Sequence, residues 1–145
     1  MMKVYIASPL FTVREKYHIR QVARFLKEQG YSVFLPMDNI IPGADDMSNK
    51  EWGRRVFLDD KTAIIDSDIV VVLDYGYTSD AGTAWECGFA HALNKKVFVI
   101  SMMQDVAVHS IMLYNGCTRF FDSLDSFFKF VEGKDFSVVK QIEQK

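Results

Sequence analysis

The chain has 145 residues, 49% of them hydrophobic, and a formal net charge of -2 with a pI near 5.9. Its length and apolar content fit one domain spanning residues 1–145. The slight acidity and the scattered Lys and Arg residues exclude a basic face for a nucleic-acid polymer. No apolar run approaches the roughly 20 residues that span a bilayer, so we expect a cytoplasmic protein with small-molecule ligands and no membrane partner.

The sequence of the first third of the chain predicts a strand, a helix and a second strand. Residues Lys3–Ala7 are apolar enough for a buried strand and precede a Ser-Pro break. A helical pattern covers residues 12–29 and closes at Gly30, which suits a C-cap. Residues 31–35 alternate as a second strand. A unit of this length makes a right-handed parallel crossover.

The rest of the chain continues the alternation of strands and helices. In order, it predicts a polar loop at 36–48, a helix at 49–65, a strand at 69–73, a helix opening at Gly82, the strand Lys96–Ser101, and a short strand and closing helix in the last third. This alternation indicates an α/β fold. We predict a single-domain, doubly wound, flavodoxin- or Rossmann-like parallel sheet of four to five strands flanked by helices.

Two carboxylates, Asp80 and Glu86, follow the apolar strand at 69–73. Open α/β sheets bind their ligands at the carboxyl ends of the strands. On a helix opening at Gly82, the neighbours of Glu86 three, four and seven residues away are small or apolar. A carboxylate in such surroundings costs stability unless it is paired or used. Glu86 is therefore a candidate functional group, and the alternative is a helix-start glutamate that satisfies backbone amides and the macrodipole.

A third carboxylate, Asp60, lies on the predicted helix at 49–65. Steps of about 100° per residue place five apolar side chains within an arc of about 140°, with Asp60 near its middle, Asp59 at its edge and Lys61 opposite. The residues of this apolar stripe are Trp52, Val56, Phe57, Ala63 and Ile64. An aspartate in such a stripe is either a structural residue or a proton-transfer group, and we favour proton transfer.

The cysteines and histidines show neither a metal-site spacing nor a disulfide pattern. We interpret Cys87 and Cys117 as reduced packing residues. His18, His91 and His109 lack the spacing of metal ligands, and we assign them no catalytic role. We therefore expect neither a metal nor a cofactor.

Several blocks of the sequence and the spacing between them match a known enzyme family. The matching segments are residues 5–11, 36–39, 51–60, 66–69, 80–88 and 111–114. The most specific are the string DAGTAWECG at 80–88 and Asp60, which lies eight residues ahead of Asp68. Over nearly its whole length, the chain resembles the nucleoside 2-deoxyribosyltransferases.

The resemblance implies transfer of a 2-deoxyribosyl group between nucleobases, a reaction of nucleoside salvage. It makes Glu86 the nucleophile that attacks C1′, Tyr5 the residue that orients it, and Asp60 the group that exchanges a proton with the base. Asp80 would hold deoxyribose hydroxyls. The other expected substrate contacts are Gly82, Ser8, Asp38, Asn39 and Ser110. Two carboxyl groups suit this chemistry, because one forms a glycosyl ester and the other moves a proton.

Some of these residues have plainer alternatives, and two positions depart from the family pattern. Tyr5 can be an ordinary strand aromatic, and Asp38-Asn39 can be turn chemistry. Ser110 stands where relatives commonly carry an asparagine donated across a subunit interface. Ile40 stands where some relatives have a polar residue that touches the base. These departures bear on base preference and efficiency more than on reaction type.

Two other functions stay open. Relatives with the same fold and glutamate hydrolyse nucleoside or deoxynucleoside 5′-monophosphate N-glycosidic bonds by passing the sugar to water. The loop at 8–12, with Arg14 close by, is poor in phosphate-binding groups, which favours transfer. A non-catalytic nucleotide-binding module would need no buried carboxylates. The shared-site arrangement of the family also implies a homo-oligomer, either a dimer or a hexamer.

Overall fold

The computed structural model describes residues 1–76, 80–103 and 109–133. Within them lie the strands β1 (Lys3–Ala7), β2 (Ser32–Phe34), β3 (Ile69–Asp74), β4 (Lys96–Ser101) and β5 (Arg119–Phe121). The helices are α1 (Val13–Glu28), α2 (Asn49–Asp66), α3 (Ala81–Ala92), α4 (Ile111–Asn115) and α5 (Leu124–Val131). Two short 3-10 turns, Pro36–Asp38 and Ala44–Asp46, lie between β2 and α2.

The strands form one all-parallel sheet in the order β2-β1-β3-β4-β5. This order confirms the predicted single-domain, doubly wound α/β fold. The chain moves from β1 to one edge of the sheet and then continues from β3 toward the other edge. The crevice outside the carboxyl ends of β1 and β3 is therefore the topological switch point, where ligands bind in such folds.

Side chains of each strand alternate between two cores on opposite faces of the sheet. On one side, which we call the α1/α5 face, Phe98 packs with Leu26 of α1 and Phe127 of α5. On the other side, which we call the α2/α3 face, Tyr5 packs with Cys87 of α3 and with residues of α2 and α4. All six residues of β3 are buried, as expected for a central strand covered on both sides.

Capping side chains determine where the main helices begin. Thr12 accepts a hydrogen bond from the backbone N–H of Glu15, whose carboxylate accepts from the backbone N–H of Thr12. Ser48 and Asp80 cap α2 and α3 by accepting hydrogen bonds in the same way. None of the described helices combines the length and apolar character needed to cross a membrane.

The structure adds two features that the sequence patterns do not predict. Helix α4 has five residues, too few to show a helical period. The apolar stripe of α2 lies largely outside the core, because Trp52 and Phe57 remain 48% and 47% exposed while Ile64 is fully buried. Much of this stripe lines cavities instead, and these cavities form the candidate site.

Candidate active site

Tyr5 and Glu86 meet beside the switch point of the sheet. Tyr5 is fully buried on β1 and stacks on Phe34 of β2, with the ring centroids 5.6 Å apart. Its hydroxyl donates a hydrogen bond to Oε2 of Glu86, in the second turn of α3. The alternation along β1 directs Tyr5 to the α2/α3 face, where Glu86 lies. The structure therefore brings together two of the residues predicted to be catalytic.

Glu86 lines a cavity of about 490 Å³, which we call the carboxylate cavity. Asp60 of α2 and Asp80 at the start of α3 line it as well, together with Ser8 and Gly82. Its apolar walls include Leu10, Phe11, Phe57, Ile64 and Trp85. The cavity thus collects most of the predicted site residues, and Tyr5 reaches it through the hydrogen bond to Glu86.

Asp80 caps α3 while it lines the carboxylate cavity. Its Oδ2 accepts hydrogen bonds from the backbone N–H and the hydroxyl of Thr83, at 2.9 and 3.0 Å. Within the described ranges, its Oδ1 makes no hydrogen bond. A Cβ at Gly82 would lie 3.1 Å from Oδ2 of Asp80, closer than an ordinary contact. Glycine therefore suits position 82 because it leaves the capping carboxylate in place.

Burial controls the ionisation of the central carboxyl groups. Desolvation raises the pKa of Glu86 to about 7, although the hydrogen bond from Tyr5 opposes this rise. Desolvation, followed by the negative charge of Asp59, raises the pKa of Asp60 to about 6. Burial and the proximity of Glu86 also raise the pKa of Tyr5, so its hydroxyl stays a donor. Both carboxyl groups therefore titrate near neutral pH, where proton transfer is most effective.

A second cavity of about 740 Å³ lies between α2 and the loop at 36–46, and we call it the loop cavity. Leu10, Pro36 and Asp60 line both cavities. The lining of the loop cavity combines the charged residues Lys16, Asp45 and Asp46 with apolar side chains that include Met37, Ile40, Ile41, Trp52 and Val56. Asp60 therefore stands at the boundary of two adjoining spaces, each of which is lined by three carboxyl groups and by several apolar side chains.

Asp38 and Asn39, two predicted substrate contacts, are engaged with protein side chains. Asp38 accepts two hydrogen bonds from the guanidinium of Arg20 on α1, at 2.5 and 2.7 Å. These bonds lower the pKa of Asp38. The side-chain amide of Asn39 donates to Oδ2 of Asp59 at 2.9 Å, and Asn39 lines the loop cavity. Both residues thus hold the loop, and Asp38 lines neither cavity.

Ser110 lies apart from the other predicted residues within a single chain. It begins α4, where its hydroxyl oxygen accepts a hydrogen bond from the backbone N–H of Met112 at 3.2 Å. It lines a groove formed by α3 and α4 rather than the carboxylate cavity. The substrate contact expected of Ser110 therefore stays a prediction, because this residue is not part of the carboxylate cavity of a single chain.

Two features of this region escape sequence analysis. Lys61 lines the carboxylate cavity, although the helical period places it opposite the apolar stripe. A lysine stem is long enough to reach around a helix, which periodicity does not capture. Asp74 and His109 form a buried pair with Oδ2 and Nδ1 2.7 Å apart and side chains 1% and 5% exposed. No local pattern links two residues 35 positions apart.

Most of the chain, including every residue that lines the carboxylate cavity, matches a known protein family. The model of the family described as nucleoside 2-deoxyribosyltransferase matches residues 4–124. The chain belongs to the nucleoside 2-deoxyribosyltransferase family. Membership indicates an enzyme of the deoxyribosyltransferase or related N-glycosidase type, acting on deoxynucleosides and nucleobases. Among curated proteins, no sequence matches the chain significantly.

Several solved structures have folds similar to that of this chain. A 2-deoxyribosyltransferase from Bacillus psychrosaccharolyticus has a TM-score of 0.83 and 28% identity, covering 99% of each chain. A Leishmania mexicana 2-deoxyribosyltransferase has a TM-score of 0.69 and 24% identity, covering 93% of this chain and 100% of its own. A CMP N-glycosidase from Clostridium botulinum has a TM-score of 0.58 and 18% identity, covering 90% of this chain and 98% of its own. The last two support the fold alone.

Proposed function

We propose that the protein transfers a 2-deoxyribosyl group between nucleobases through a covalent glycosyl-enzyme on Glu86. The observation that carries this proposal is the partly buried hydrogen bond from Tyr5 to Glu86, beside a cavity that Asp60 also lines. A partly buried carboxylate oriented by a neutral donor is suited to act as a nucleophile. A second carboxyl group in the same cavity can supply the acid and the base.

The proposed reaction has two half-reactions that balance. In the first, the Glu86 carboxylate bonds to C1′, the C1′–N bond breaks with its electron pair on the base, and Asp60 protonates the departing base. In the second, a nitrogen of the entering base attacks C1′, Asp60 takes its proton, and Glu86 leaves as a carboxylate. Two inversions at C1′ return the β anomer.

The first half-reaction needs ionised Glu86 and protonated Asp60. Because the pKa of Glu86 is about 7 and that of Asp60 about 6, the productive form is a minority that is most abundant between pH 6 and 7. At lower pH Glu86 gains a proton, and at higher pH Asp60 loses one. We therefore expect a bell-shaped pH dependence of kcat/KM for the donor, whose limbs belong to the pair together.

We place the sugar against the start of α3. Oδ1 of Asp80 can accept a hydrogen bond from a deoxyribose hydroxyl, and the absence of a side chain at Gly82 lets the sugar approach the backbone. The Ser8 hydroxyl, which donates to the carbonyl of Pro9 at 2.8 Å, can still accept a hydrogen bond. Substrate contacts by three further residues remain predictions: Asp38, Asn39 and Ser110.

One observation favours a second candidate function, the hydrolysis of a deoxynucleoside 5′-monophosphate. Lys61 lines the carboxylate cavity and forms no ion pair within the described part of the chain, so its ammonium group can bind a phosphate. A single lysine among Asp60, Asp80 and Glu86 is nevertheless a poor phosphate site, because the three carboxylates repel the same anion. We therefore favour transfer from an unphosphorylated donor.

An exchange assay separates these functions. Deoxyadenosine is incubated with and without a free pyrimidine base, and the products are resolved by chromatography. We expect the new deoxynucleoside to form faster than free deoxyribose. Deoxyribose as the main product at every acceptor concentration would favour hydrolysis, and preferential use of a 5′-monophosphate would identify the second candidate. Failure to cleave any of these donors would contradict both functions.

The covalent step has a test of its own. A 2-fluoro-2-deoxy-arabinosyl nucleoside should slow breakdown of the intermediate, so that peptide mass spectrometry finds the label on Glu86. Glu86→Gln should reduce exchange by roughly a thousandfold or more. Asp60→Asn should reduce it by about a hundredfold, on the scale of general acid–base catalysis. A label on another residue, or substantial exchange by Glu86→Gln, would overturn the nucleophile assignment.

We further propose that the protein is a homo-oligomer that serves nucleoside salvage. Association is supported by large apolar side chains that a single chain leaves exposed on α2 and α4, including Trp52, Leu58, Ile65, Ile111 and Met112. Exchange of bases on existing deoxyribosyl groups would regenerate deoxynucleosides from free bases, which is the chemistry that salvage requires.

A further inference from the structure

The carboxylate of Asp59 is held between two partners from different parts of the chain. Its Oδ2 accepts a hydrogen bond from the side-chain amide of Asn39, and its Oδ1 accepts one from Nε of Arg55, both at 2.9 Å. Asn39 follows the first 3-10 turn of the loop, whereas Arg55 lies one helical turn before Asp59 on α2. The network therefore joins the loop to the helix that carries Asp60.

The same loop has a second attachment one residue earlier. Asp38 is paired with Arg20 of α1, so consecutive residues tie the loop to two different helices. Beyond these attachments, Ile40 and Ile41 continue along the wall of the loop cavity. The position of that wall relative to α2 thus depends on the bond between Asn39 and Asp59.

Building on the proposed function, we propose that Asp59 is a positioning residue for the reaction. It fixes the loop wall through Asn39, and it places a negative charge, partly neutralised by Arg55, next to Asp60. The sequence motifs assign Asp59 no role, and its side chain lines neither the carboxylate cavity nor the loop cavity. It therefore acts through its neighbours rather than by touching the substrate.

The charge of Asp59 has a physical route to Asp60. It raises the pKa of Asp60 in addition to the effect of burial. The side chain of Asp59 is 25% exposed and that of Arg55 51% exposed, so solvent screens their charges only in part. Other charged or titratable groups lie near Asp60 or line the cavities that it borders: Tyr5 of β1, Lys16 of α1, Lys61 of α2, Asp80 and Glu86 of α3, and Asp45 and Asp46 of the loop.

Three variants separate charge from attachment. Asp59→Asn removes the charge but keeps an oxygen that can accept from Asn39. Arg55→Gln removes the cation and leaves the charge of Asp59 uncompensated. Asn39→Ala removes the attachment and keeps both charges. The matched control is Arg24→Gln, because Arg24 and Glu28 form the same i,i+4 ion pair on α1, with side chains 83% and 61% exposed.

The decisive measurement is kcat/KM for the deoxynucleoside donor at pH 8 and pH 5. At pH 8 the rate depends on how much Asp60 still holds its proton, whereas at pH 5 it depends on the ionisation of Glu86. A charge at a few ångströms in a water-like medium shifts a pKa by about half a unit. We therefore expect Asp59→Asn to lower the ratio of kcat/KM at pH 8 to kcat/KM at pH 5 about threefold. Arg55→Gln should raise this ratio, and Arg24→Gln should leave it unchanged.

The loop attachment gives a different signature. Asn39→Ala should raise KM for the acceptor base severalfold, with the ratio of the rates at pH 8 and pH 5 unchanged. Asp59→Ala should raise this KM more than Asp59→Asn does, because only Asp59→Asn keeps an oxygen that holds the loop wall through Asn39. If Asp59→Asn and Arg55→Gln shift the ratio in the same direction, or no more than Arg24→Gln does, the proposed charge role is wrong. If Asn39→Ala leaves KM unchanged, or if Asp59→Ala and Asp59→Asn raise it equally, the attachment role is wrong.

A titration separates failure of this inference from failure of the proposed function. Carbon-13 NMR follows the carboxyl carbon of Asp60, whose signal is assigned by its absence from Asp60→Asn. We expect the pH midpoint of the Asp60 titration to fall in Asp59→Asn and to rise in Arg55→Gln. These shifts in a protein without base exchange would support the charge role and refute the proposed function. Base exchange with an unmoved midpoint would refute the charge role alone.

Discussion

The two faces of the sheet divide stability and chemistry between them. On the α1/α5 face, the buried residues are large aliphatic and aromatic side chains such as Leu26, Phe98 and Phe127. On the α2/α3 face, the core includes small residues such as Ala7, Cys87 and Ala90, and it borders carboxyl groups of raised pKa. A parallel sheet covered on both sides can stabilise the fold mainly through one face, which leaves the other free to hold costly polar groups.

The largest expected effect on stability comes from the α1/α5 face. Phe127 is fully buried and contacts Phe121. Phe127→Ala should lower the free energy of unfolding by about 3–5 kcal/mol, because it removes a buried ring and leaves a cavity. Urea denaturation measures the loss. The exchange rate per folded molecule, measured well below the melting temperature, should stay near that of the wild type, and a large fall in it would show that the faces are coupled.

On the α2/α3 face, we expect a substitution that increases the free energy of unfolding at high pH. When folding raises the pKa of a carboxyl group, the protein loses stability as the pH increases. The loss occurs between the pKa of that group in the unfolded chain and its pKa in the folded protein. For Glu86 this window runs from about 4.5 to about 7. Glu86→Gln should therefore be about 1–2 kcal/mol more stable than the wild type at pH 8, after allowance for partial solvent screening, and nearly equal to it at pH 4.

Urea denaturation at the two pH values checks this prediction for Glu86. Phe127→Ala serves as the control, because removing a phenyl ring should cost the same free energy at pH 4 and pH 8. A Glu86→Gln variant that is less stable than the wild type at pH 8 would show that the carboxylate contributes to folding rather than opposing it.

The smallest expected effect on folding concerns the exposed surface of the α2/α3 side. Met112 is 77% exposed on α4. Met112→Lys should change the free energy of unfolding of a single chain by no more than about 0.5 kcal/mol. If a second copy covers this surface, the same variant should shift sedimentation toward a smaller species. An identical sedimentation coefficient for wild type and variant would place any subunit contact elsewhere.

The sequence predicts the strands and main helices because their signals are local. The apolar run at 69–73 indicates a strand, and Gly30 marks the end of a helix. Helix α4 lacks such a signal because it is too short. The periodicity of α2 identifies an apolar stripe, but it does not distinguish side chains buried in a core from side chains that line a cavity.

Sequence analysis identifies candidate site residues where residue identity and spacing along one helix suffice. Asp60, Asp80 and Glu86 are such cases, and all three line one cavity. Partners that come from distant elements are not predictable in the same way. Nothing local indicates that Asp38 pairs with Arg20 or that Asn39 donates to a helix twenty residues onward, since such contacts depend on how the loop folds over α1 and α2.

The hydrogen bond between Tyr5 and Glu86 also has a consequence for how the protein reaches its native state. The two residues are 81 positions apart, so their contact closes a long loop. It requires α3 to be packed against the sheet that contains β1. Non-local contacts of this kind form slowly compared with local helices. Recovery of catalytic activity should therefore lag behind recovery of helical content when the denatured chain is returned to native conditions.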